Sequence, residues 1–343
     1  MANTQELNTF KGVWCFAEVR HGKLTPTIFE LLGVGGNLAK ELGEKLSVVL
    51  LGHQLDQWTK DIFESGAETI YLLDHPNLAN FVDDVYTNVL ADLIAKEKPN
   101  KFLLPASTIG KSITGRLAAV LNTGASADAT ELTIGEGKSP DIKNALHVTR
   151  PTYGGNIIAT ILCENNRPEI STVKPMVFPR AQKTPGKTGE TIKVAVNPAE
   201  IPSKTKFVNF AAEETTELDI ASADKVISGG RGLGNAEGFK VIRDFAHTLG
   251  AAVGASRAAV DAGWIAYRHQ VGLTGRSVRP KLYIACGISG QVQHLAGMGQ
   301  SETIVAINKD PECPMMKLAN LSIEADLYEF IPLAIAELKK HKN

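Results

Sequence analysis

Residues 280–298 read PKLYIACGISGQVQHLAGM, and residues 303–311 read TIVAINKDP. An apolar run ends in a turn of small residues, a helical pattern follows, and a second apolar run ends on polar residues. This order predicts a β-α-β unit. The turn at 287–290 leaves backbone amides free at the start of the helix, where the helix dipole also favours an anion. The stretch therefore predicts a binding site for a ligand that carries phosphate.

The length and charge of the chain limit the kinds of protein it can be. Its 343 residues exceed one ordinary core and suit two domains of roughly 150 to 200 residues each. Hydrophobic residues make up 43% of the chain and charged residues 21%, as in soluble globular proteins. The formal net charge is only -1, so no strong field attracts nucleic acid or an acidic membrane surface. We expect no nucleic-acid partner.

The cysteines indicate neither a metal site nor a disulfide framework. Cys15, Cys163, Cys286 and Cys313 stand apart, with no CxxC pair among them, so they are predicted to be reduced thiols. Cys286 ends a predicted core strand and is expected to be a small buried hydrophobe. The chain has no uninterrupted apolar run of about 18 residues and no export signal at its start. We expect a cytoplasmic protein without membrane insertion.

The hydrophobic pattern predicts an α/β fold in two domains. Short apolar runs alternate with helical patterns up to about residue 121, and a strand-rich region follows to about residue 178. This alternation predicts a mostly parallel sheet flanked by helices. Breakers and polar residues at 183–206 predict a linker. We therefore predict an N-terminal domain at 1–182 and a C-terminal domain at 207–343, in which strands and helices again alternate.

Every apolar run in the C-terminal domain ends in a turn of polar or small residues. The main turns are at 228–234, 254–257, 287–290 and 308–311. In an open parallel sheet such turns share the carboxyl edge, where ligands bind. Asp326 is expected at the same edge, where it could accept hydrogen bonds from a ribose or adenine. These turns predict one crevice assembled from distant residues.

Two glycine-containing segments do not match common nucleotide motifs. The GxGxxG pattern that would start at Gly230 fails because position 235 is Asn, so a dinucleotide site of the usual Rossmann type is not supported. Residues 110–112, GKS, resemble the end of a P-loop, but the first glycine of that motif would fall at Pro105. An ATPase is therefore disfavoured.

Six segments of the C-terminal domain closely resemble the alpha (large) subunit of electron transfer flavoprotein. They are SGGRGL at 228–233, AVGASRAAVDAG at 252–263, QVG at 270–272, GISG at 287–290, QHLAGM at 293–298 and AINKDP at 306–311. The N-terminal domain resembles this family mainly in layout and in YGGN at 153–156. The resemblance implies a Rossmann-like FAD-binding C-terminal domain. It also implies an N-terminal domain without its own nucleotide that contacts a smaller electron transfer flavoprotein beta subunit, in a heterodimer.

The resemblance also implies which residues contact FAD. Those for the phosphate and ribose side are Arg231 and Ser256. Those for the pyrophosphate and ribityl chain are Ser289, Gly290, Gln291, Val292 and Gln293. Those for the adenosine end are Asn308, Asp326 and Leu327. Those around the isoalloxazine ring are Arg257, Val271, Gly272, Leu273, Thr274 and His294.

Electrostatics explains why Arg257 and His294 would be useful beside the flavin ring. A flavin that carries one extra electron as an anion places negative charge near N1 and the C2 carbonyl, which a guanidinium or imidazolium stabilises. One such charge at about 4 Å and an effective dielectric near 20 contributes up to roughly 4 kcal/mol. Since about 1.4 kcal/mol corresponds to roughly 59 mV for one electron, Arg257 and His294 could shift the potential by on the order of 100 mV. Thr274 is expected to bond flavin N5, and no general acid or base is required.

One position distinguishes subgroups of the family. Many members that serve respiratory acyl-CoA dehydrogenases have Gln where this chain has Leu273. Together with TRPTYGGN at 149–156 and NRPEISTV at 166–173, this resembles the form of anaerobic bacteria. There the complex carries a second FAD, accepts electrons from NADH, and bifurcates them between an acyl-CoA dehydrogenase and ferredoxin or flavodoxin. The alternatives are a non-bifurcating carrier with one FAD per heterodimer and, from another class, an adenine-nucleotide-binding protein without a redox role.

Overall fold

The computed structural model describes residues 7–139, 142–152, 157–197, 203–211, 217–221 and 223–341. The YGGN segment at 153–156 lies outside these residues. The chain divides into two compact units, one of residues 1–151 and 158–210 and the other of the remaining residues. No described helix combines the length and apolar character needed to cross a bilayer.

The first unit contains a seven-stranded parallel sheet in the order β12-β5-β4-β1-β6-β11-β7, a three-stranded sheet β10-β9-β8 and a β2-β3 pair. Its strands are β1 Val13–Ala17, β2 Val19–Arg20, β3 Lys23–Leu24, β4 Leu46–Gly52, β5 Thr69–Asp74, β6 Lys101–Pro105, β7 Ala125–Ala129, β8 Glu131–Gly135, β9 Ala145–Thr152, β10 Ile157–Ile161, β11 Glu169–Val173 and β12 Glu190–Lys193. Its helices are α1 Thr27–Leu42, α2 Thr59–Glu64, α3 Asp83–Glu97 and α4 Thr108–Val120.

Helices cover both faces of the large sheet, as strand β1 illustrates. All five β1 residues are buried. Cys15 and its alternate neighbours pack into the core on one face, whereas Trp14 and Phe16 pack into the core on the other. Successive side chains of a strand point to opposite faces, so an uninterrupted apolar run is what a sheet covered on both sides requires. The predicted parallel α/β architecture of this unit is confirmed.

Much of the described part of segment 183–206 is held on the first unit, which its composition does not predict. Residues 190–193 form β12, and β12 pairs in parallel with β5. Further along, the Asp84 carboxylate accepts hydrogen bonds from the Lys204 amide at 2.5 Å and the Ser203 hydroxyl at 2.8 Å. A short edge strand needs only backbone pairing on one side, so polar residues such as Glu190 and Lys193 can form it.

The second unit is a five-stranded sheet in the order β14-β13-β15-β16-β17, and every pair is parallel. Its strands are β13 Lys225–Gly229, β14 Ala252–Ala255, β15 Leu282–Cys286, β16 Thr303–Asn308 and β17 Leu321–Glu324. Its helices are α5 Phe239–Leu249, α6 Arg257–Asp261, α7 Val292–Met298, α8 Pro314–Leu318 and α9 Leu327–Lys340.

The strand order of the second unit places a crevice next to its first strand. The chain builds β14 on one side of β13 and then returns to build β15, β16 and β17 on the other side. The connections after β13 and β15 therefore run to opposite faces of the sheet. Ligands of open α/β sheets bind in the crevice that this reversal opens at the carboxyl ends of the strands. The topology therefore predicts that a ligand binds at the turns after β13 and β15.

Candidate functional site

The turns after β13 and β15 touch each other through their backbones. The Gly232 amide donates a hydrogen bond to the Gly287 carbonyl at 3.0 Å, and the Gly230 amide donates to the Cys286 carbonyl at 3.0 Å. A Cβ atom on Gly230 would lie 2.4 Å from the Gly287 carbonyl oxygen. The glycines of both turns are therefore required by this close approach. Cys286, at the end of β15, is fully buried, as predicted.

The end of β14 joins the same edge. The Ser256 amide donates to the Gly229 carbonyl at 3.0 Å, and the Val271 amide donates to the Ala255 carbonyl at 2.9 Å. Ser256 precedes α6 without capping it through its side chain. Its hydroxyl is buried and has no hydrogen-bond partner within the described residues. Since buried polar atoms are normally paired, this hydroxyl is a candidate contact for a group that the structure does not contain.

A loop at 271–275 packs directly on α7. The Leu273 amide donates to the Gln293 carbonyl at 2.7 Å, and a Cβ on Gly297 would lie 2.4 Å from Gly272 Cα. Thr274 accepts a hydrogen bond from the Gln270 side chain at 3.0 Å. The side chain of Leu273 is 46% exposed, although it is apolar. The loop thus presents Leu273 and Thr274 on a fixed backbone.

The turn after β15 offers unused backbone donors. The amides of Ser289, Gly290 and Gln291 donate none of the backbone hydrogen bonds found in this part of the chain. The turn is held from behind, because the Met315 amide donates to the Ser289 carbonyl at 3.1 Å. Gly290 has a φ of +84°, and a Cβ there would lie 2.4 Å from the Met315 nitrogen. Consecutive free amides in a rigid turn are a typical environment for an anion.

The turns after β16 and β17 extend this edge. The Asn308 side-chain amide donates to the Ile288 carbonyl at 3.1 Å, and so ties the β16 turn to the β15 turn. Lys309 lies 2.7 Å from one oxygen of Asp326, while the other oxygen accepts from the Tyr328 amide at 2.8 Å. The hydrogen bond from Lys309 is the largest of the effects that hold the pKa of Asp326 below its usual value. Asp326 therefore caps α9 as an anion.

Two predicted cationic contacts are exposed at this edge. Arg231 is exposed in the turn after β13. Arg257 begins α6 and pairs with Asp261 at 3.2 Å, where the two side chains are 65% and 62% exposed. A cation at the start of a helix opposes the dipole, and Asp261 supplies the compensating anion. Because exposed pairs of this kind contribute little, Arg257 is free to turn towards an anionic ligand.

His294 is buried and uncharged at neutral pH. Its exposed fraction is 6%, and its Nε2 lies 2.9 Å from the Tyr283 hydroxyl. Burial lowers the pKa of His294 to about 4, while the backbone of Val271 acts in the opposite direction. The ring is therefore a neutral imidazole at pH 7. Burial therefore opposes the imidazolium charge that the sequence suggested, because no carboxylate of the described residues is among the groups that raise the pKa of His294.

The predicted site residues come together on this edge in two groups. Those with exposed side chains, or an exposed backbone, are Arg231, Arg257, Leu273, Thr274, Ser289, Gln291, Val292 and Gln293. Those that are buried or partly buried are Ser256, Val271, Gly272, Gly290, His294, Asn308, Asp326 and Leu327. These residues follow strands of the second sheet, lie in the loop at 271–274, or lie at the start of α7 or α9.

Three residues that support this edge were not identifiable from the sequence. Tyr283 holds His294, Tyr328 donates its hydroxyl hydrogen to the Leu233 carbonyl at 2.5 Å, and Met315 supports Ser289. Tyr283 occurs in an apolar run that looks like ordinary core. Tyr328 lies 95 residues from its partner. The sequence therefore carries no local signal for either contact.

Two family profiles match the chain. The profile described as "Electron transfer flavoprotein domain" matches residues 13–199. The profile described as "Electron transfer flavoprotein FAD-binding domain" matches residues 219–299. The second match includes the turns after β13, β14 and β15 and contains all the predicted site residues except Asn308, Asp326 and Leu327. The description of this profile suggests a flavin cofactor for the second unit.

Curated relatives match over nearly their full length. The chain is 44% identical to "Electron transfer flavoprotein subunit alpha" of Thermoanaerobacterium thermosaccharolyticum, over 98% of this chain and 100% of the relative. It is 41% identical to the protein of the same name from Megasphaera elsdenii, over 98% and 99%. It is 38% identical to "Acryloyl-CoA reductase electron transfer subunit beta" of Anaerotignum propionicum, over 99% of both chains.

Proposed function

The chain belongs to the electron transfer flavoprotein alpha-subunit family, and on that premise we propose that its second unit holds FAD. We propose further that it passes electrons between a beta-subunit partner and an acyl-CoA dehydrogenase. The observation that carries this proposal is the set of free amides at Ser289, Gly290 and Gln291, beside the crevice between β13 and β15. A site of this kind would suit a ligand that is anionic at one end and planar at the other.

The phosphate end of FAD fits the polar part of this edge. Ser289 and Gly290 would donate their amides to the pyrophosphate, and Gln291, Val292 and Gln293 would line the ribityl chain. Arg231 is exposed beside this turn and would neutralise phosphate charge. The unpaired Ser256 hydroxyl would bond the phosphate and ribose side. Backbone amides suit phosphate because they donate hydrogen bonds at fixed positions and carry partial positive charge.

The adenosine end would lie over the turns after β16 and β17. Asn308, Asp326 and Leu327 are the residues that would hold it. Asp326 is an anion, and a carboxylate accepts hydrogen bonds from ribose hydroxyls or an amino group. Its present partners, Lys309 and the Tyr328 amide, leave lone pairs on both oxygens for this purpose. Leu327 is buried under the same turn.

The redox end would lie against the loop at 271–274 and α6. When bound, the flavin supplies one- and two-electron transfer, and the protein supplies position and charge. Val271 and Gly272 fix the backbone, Leu273 excludes water, and Thr274 offers a hydroxyl for flavin N5. Arg257 would stabilise negative charge on the ring, whereas His294 would act as a neutral hydrogen-bonding group.

The partners follow from the family and from two further observations. An alpha subunit implies a beta subunit. The Anaerotignum propionicum relative is named for an acryloyl-CoA reductase, which supports an acyl-CoA dehydrogenase as the electron-exchange partner. Leu273, together with the segments at 149–156 and 166–173, supports the NADH-dependent bifurcating form, with ferredoxin or flavodoxin as second acceptor. A carrier with one FAD per heterodimer is the alternative within this family.

The first experiment is a stepwise dithionite titration of the chain purified with its beta subunit. We expect a tightly bound flavin that passes through a one-electron-reduced anionic form. A complex without bound flavin would reject the proposal and favour a nucleotide-binding role without redox work. The flavin count per heterodimer separates the two forms, since the bifurcating form carries two FAD molecules and the simple carrier one.

The second experiment tests bifurcation directly. The complex is mixed with NADH, ferredoxin, a short-chain enoyl-CoA and its dehydrogenase. Ferredoxin reduction that requires the enoyl-CoA would support bifurcation. Ferredoxin that stays oxidised, although NADH reduces the bound flavin, would favour the simple carrier.

A further inference from the structure

Thr274, near the tip of the 271–275 loop, is held by side chains rather than by the backbone. Within the described range 223–341, neither its amide nor its carbonyl takes part in a backbone–backbone hydrogen bond. The Tyr267 hydroxyl lies 2.6 Å from the Thr274 carbonyl oxygen, and the Gln270 side-chain amide lies 3.0 Å from the Thr274 hydroxyl oxygen. The position of Thr274 therefore depends on two side chains that precede the loop, and the proposed function assigns no role to Tyr267.

The residues that follow Thr274 are, by contrast, fixed by backbone hydrogen bonds. The Gly275 amide donates to the Gly272 carbonyl at 3.2 Å, and the Arg276 amide donates to the Gln270 carbonyl at 2.7 Å. A side-chain substitution leaves these donors and acceptors in place. A change at Tyr267 can therefore release Thr274 without removing the backbone hydrogen bonds that close the loop.

The direction of the hydrogen bond between Tyr267 and Thr274 is fixed by the chemistry of its two groups. A backbone carbonyl oxygen only accepts hydrogen bonds, whereas a tyrosine hydroxyl can donate one. The distance of 2.6 Å between the two oxygens lies in the usual range for such bonds. Tyr267 is therefore the donor, and its hydrogen bond restrains the peptide plane between Thr274 and Gly275.

The segment that carries Tyr267 is itself anchored on β14. Residues Tyr267–His269 form a single 3₁₀ turn, and the Gln270 amide donates to the Tyr267 carbonyl at 2.9 Å. His269 is 3% exposed, and its Nδ1 lies 2.7 Å from the Val253 carbonyl oxygen of β14. Gln270 forms a parallel bridge with Ala255, at the end of the same strand. The Tyr267 hydroxyl is thus presented to the loop from a fixed base.

We propose that Tyr267 is a positioning residue of the flavin site, which holds the Thr274 carbonyl so that the Thr274 hydroxyl keeps one position beside the flavin ring. This inference rests on the proposed function, because it matters to electron transfer only if the 271–274 loop holds the ring. Tyr267 acts through Thr274 and not through contact with the cofactor. Its side chain is 63% exposed, so the ring contributes little to the core and the hydroxyl supplies the effect.

Hydrogen–deuterium exchange of the chain in complex with its beta subunit tests the hold on the loop. Tyr267→Phe removes the hydroxyl and keeps the exposed ring, so the urea midpoint should stay that of the wild type. We expect the Gly275 and Arg276 amides to exchange roughly two- to fivefold faster, because the loss of one hydrogen bond makes the loop easier to open. Tyr71→Phe is the control, since the Tyr71 hydroxyl donates to the Glu97 carboxylate at 3.2 Å in the first unit. This control should leave exchange in the loop unchanged.

The consequence at the cofactor is measured from the visible absorption of the bound flavin, which responds to groups beside the ring. Thr274→Val removes the hydroxyl, and we expect this variant to shift the flavin band. Tyr267→Phe should shift the band in the same direction and weaken flavin binding roughly two- to fivefold. In a Thr274→Val background, Tyr267→Phe should cause no further shift of the band, since the hydroxyl that Tyr267 positions is already absent.

The inference is overturned if the Gly275 and Arg276 amides of Tyr267→Phe exchange as in the wild type. It is also overturned if Tyr267→Phe shifts the flavin band equally with and without the Thr274 hydroxyl, or lowers the urea midpoint and leaves the band in place. Tyr267 would then act on the ring directly or on the unit as a whole. A complex that binds no flavin would reject the proposed function alone. In that case the exchange measurement would still decide whether Tyr267 holds the loop.

Discussion

Gly232 and Gly287 lie so close that each occupies the space of the other's missing side chain. A Cβ on Gly232 would lie 2.7 Å from Gly287 Cα, and a Cβ on Gly287 would lie 2.8 Å from Gly232 Cα. Between them the Gly232 amide donates to the Gly287 carbonyl at 3.0 Å. This contact joins the turns after β13 and β15, and it leaves no room for a side chain on either glycine.

Gly232→Ala should force these turns apart. Because the nearest neighbours of the new methyl group are backbone atoms, we expect a loss of about 1–3 kcal/mol in the free energy of unfolding, together with weaker flavin binding. Urea denaturation and flavin titration measure the two effects.

Gly115→Ala is the control, since Gly115 lies inside α4 and a methyl group there would meet no described atom within 4 Å. This control should be neutral or stabilising by up to about 1 kcal/mol. Equal behaviour of both variants would contradict the close-contact argument.

Arg257→Ala should lower the one-electron reduction potential of the bound flavin. The loss of a nearby cation disfavours the anionic reduced form, but the side chain is 65% exposed, so solvent screens much of the interaction. We expect a decrease of roughly 20–60 mV, measured by spectroelectrochemical titration. Arg116→Ala removes a comparably exposed arginine paired with Asp83 in the first unit and should leave the potential unchanged. A potential unaffected by Arg257→Ala would remove this residue from the ring environment.

The second unit should lose stability as the pH falls below the pKa of a free histidine. The pKa of His294 is lowered from 6.5 to about 4, so the folded state binds fewer protons than the unfolded state between these values. The stabilisation is complete above about pH 6.5 and is lost as the pH falls towards 4, by up to about 3 kcal/mol in total. Chemical denaturation at a series of pH values measures this slope.

His294→Gln should remove that part of the pH dependence, whatever it does to absolute stability. The exposed residue His247 provides the control, because His247→Gln should leave the slope as in the wild type. A slope between pH 6.5 and 4 that survives in His294→Gln would assign the acid sensitivity to other groups.

Lys101→Met should destabilise the first unit strongly. Lys101 is fully buried and pairs with Glu169, and its ammonium also donates to the Asn144 carbonyl at 2.7 Å. Removal of the cation leaves the Glu169 carboxylate buried without its main partner, which costs about 3–5 kcal/mol. The double variant Lys101→Met with Glu169→Gln removes both charges and should recover at least half of this loss.

Urea denaturation measures these differences. Lys96→Met is the control because Lys96 is 78% exposed beside Glu97, and its effect should stay within about 0.5 kcal/mol. If Lys101→Met were as mild as this control, the buried ion pair would not be a major contributor to the stability of the first unit.

The layered architecture could be predicted from hydrophobic pattern because burial is nearly independent of exact geometry. Strand β1, for example, is an uninterrupted apolar run, and its residues fill cores on both sheet faces. The turns after β13 and β15 could also be predicted, since glycines between a strand and a helix have few other uses. Strand β12 could not, because its polar residues match a connector and only the exposed edge of β5 makes them a strand.

In the candidate site, likewise, some features could be predicted from neighbouring residues, whereas others depend on residues that are distant in the chain. Its residue types could be assigned from ordered turns and from family resemblance. The lowered pKa of His294 could not, because it depends on burial of the ring, and neither could its hydrogen-bond partner Tyr283, which is 11 residues away along the chain. The partner of Asp326 likewise comes from a neighbouring turn, through Lys309.

The sequence by itself determined the α/β class, the positions of the turns and the family, because periodicity and short ordered motifs are properties of neighbouring residues. Only the tertiary structure decided that Gly232 and Gly287 meet, that the amides at 289–291 stay free, and that His294 is neutral. The physical reason is that hydrogen-bond pairing and desolvation depend on which distant groups come within about 3 Å. These contacts form only when folding brings the carboxyl ends of the parallel strands to the same edge of the sheet.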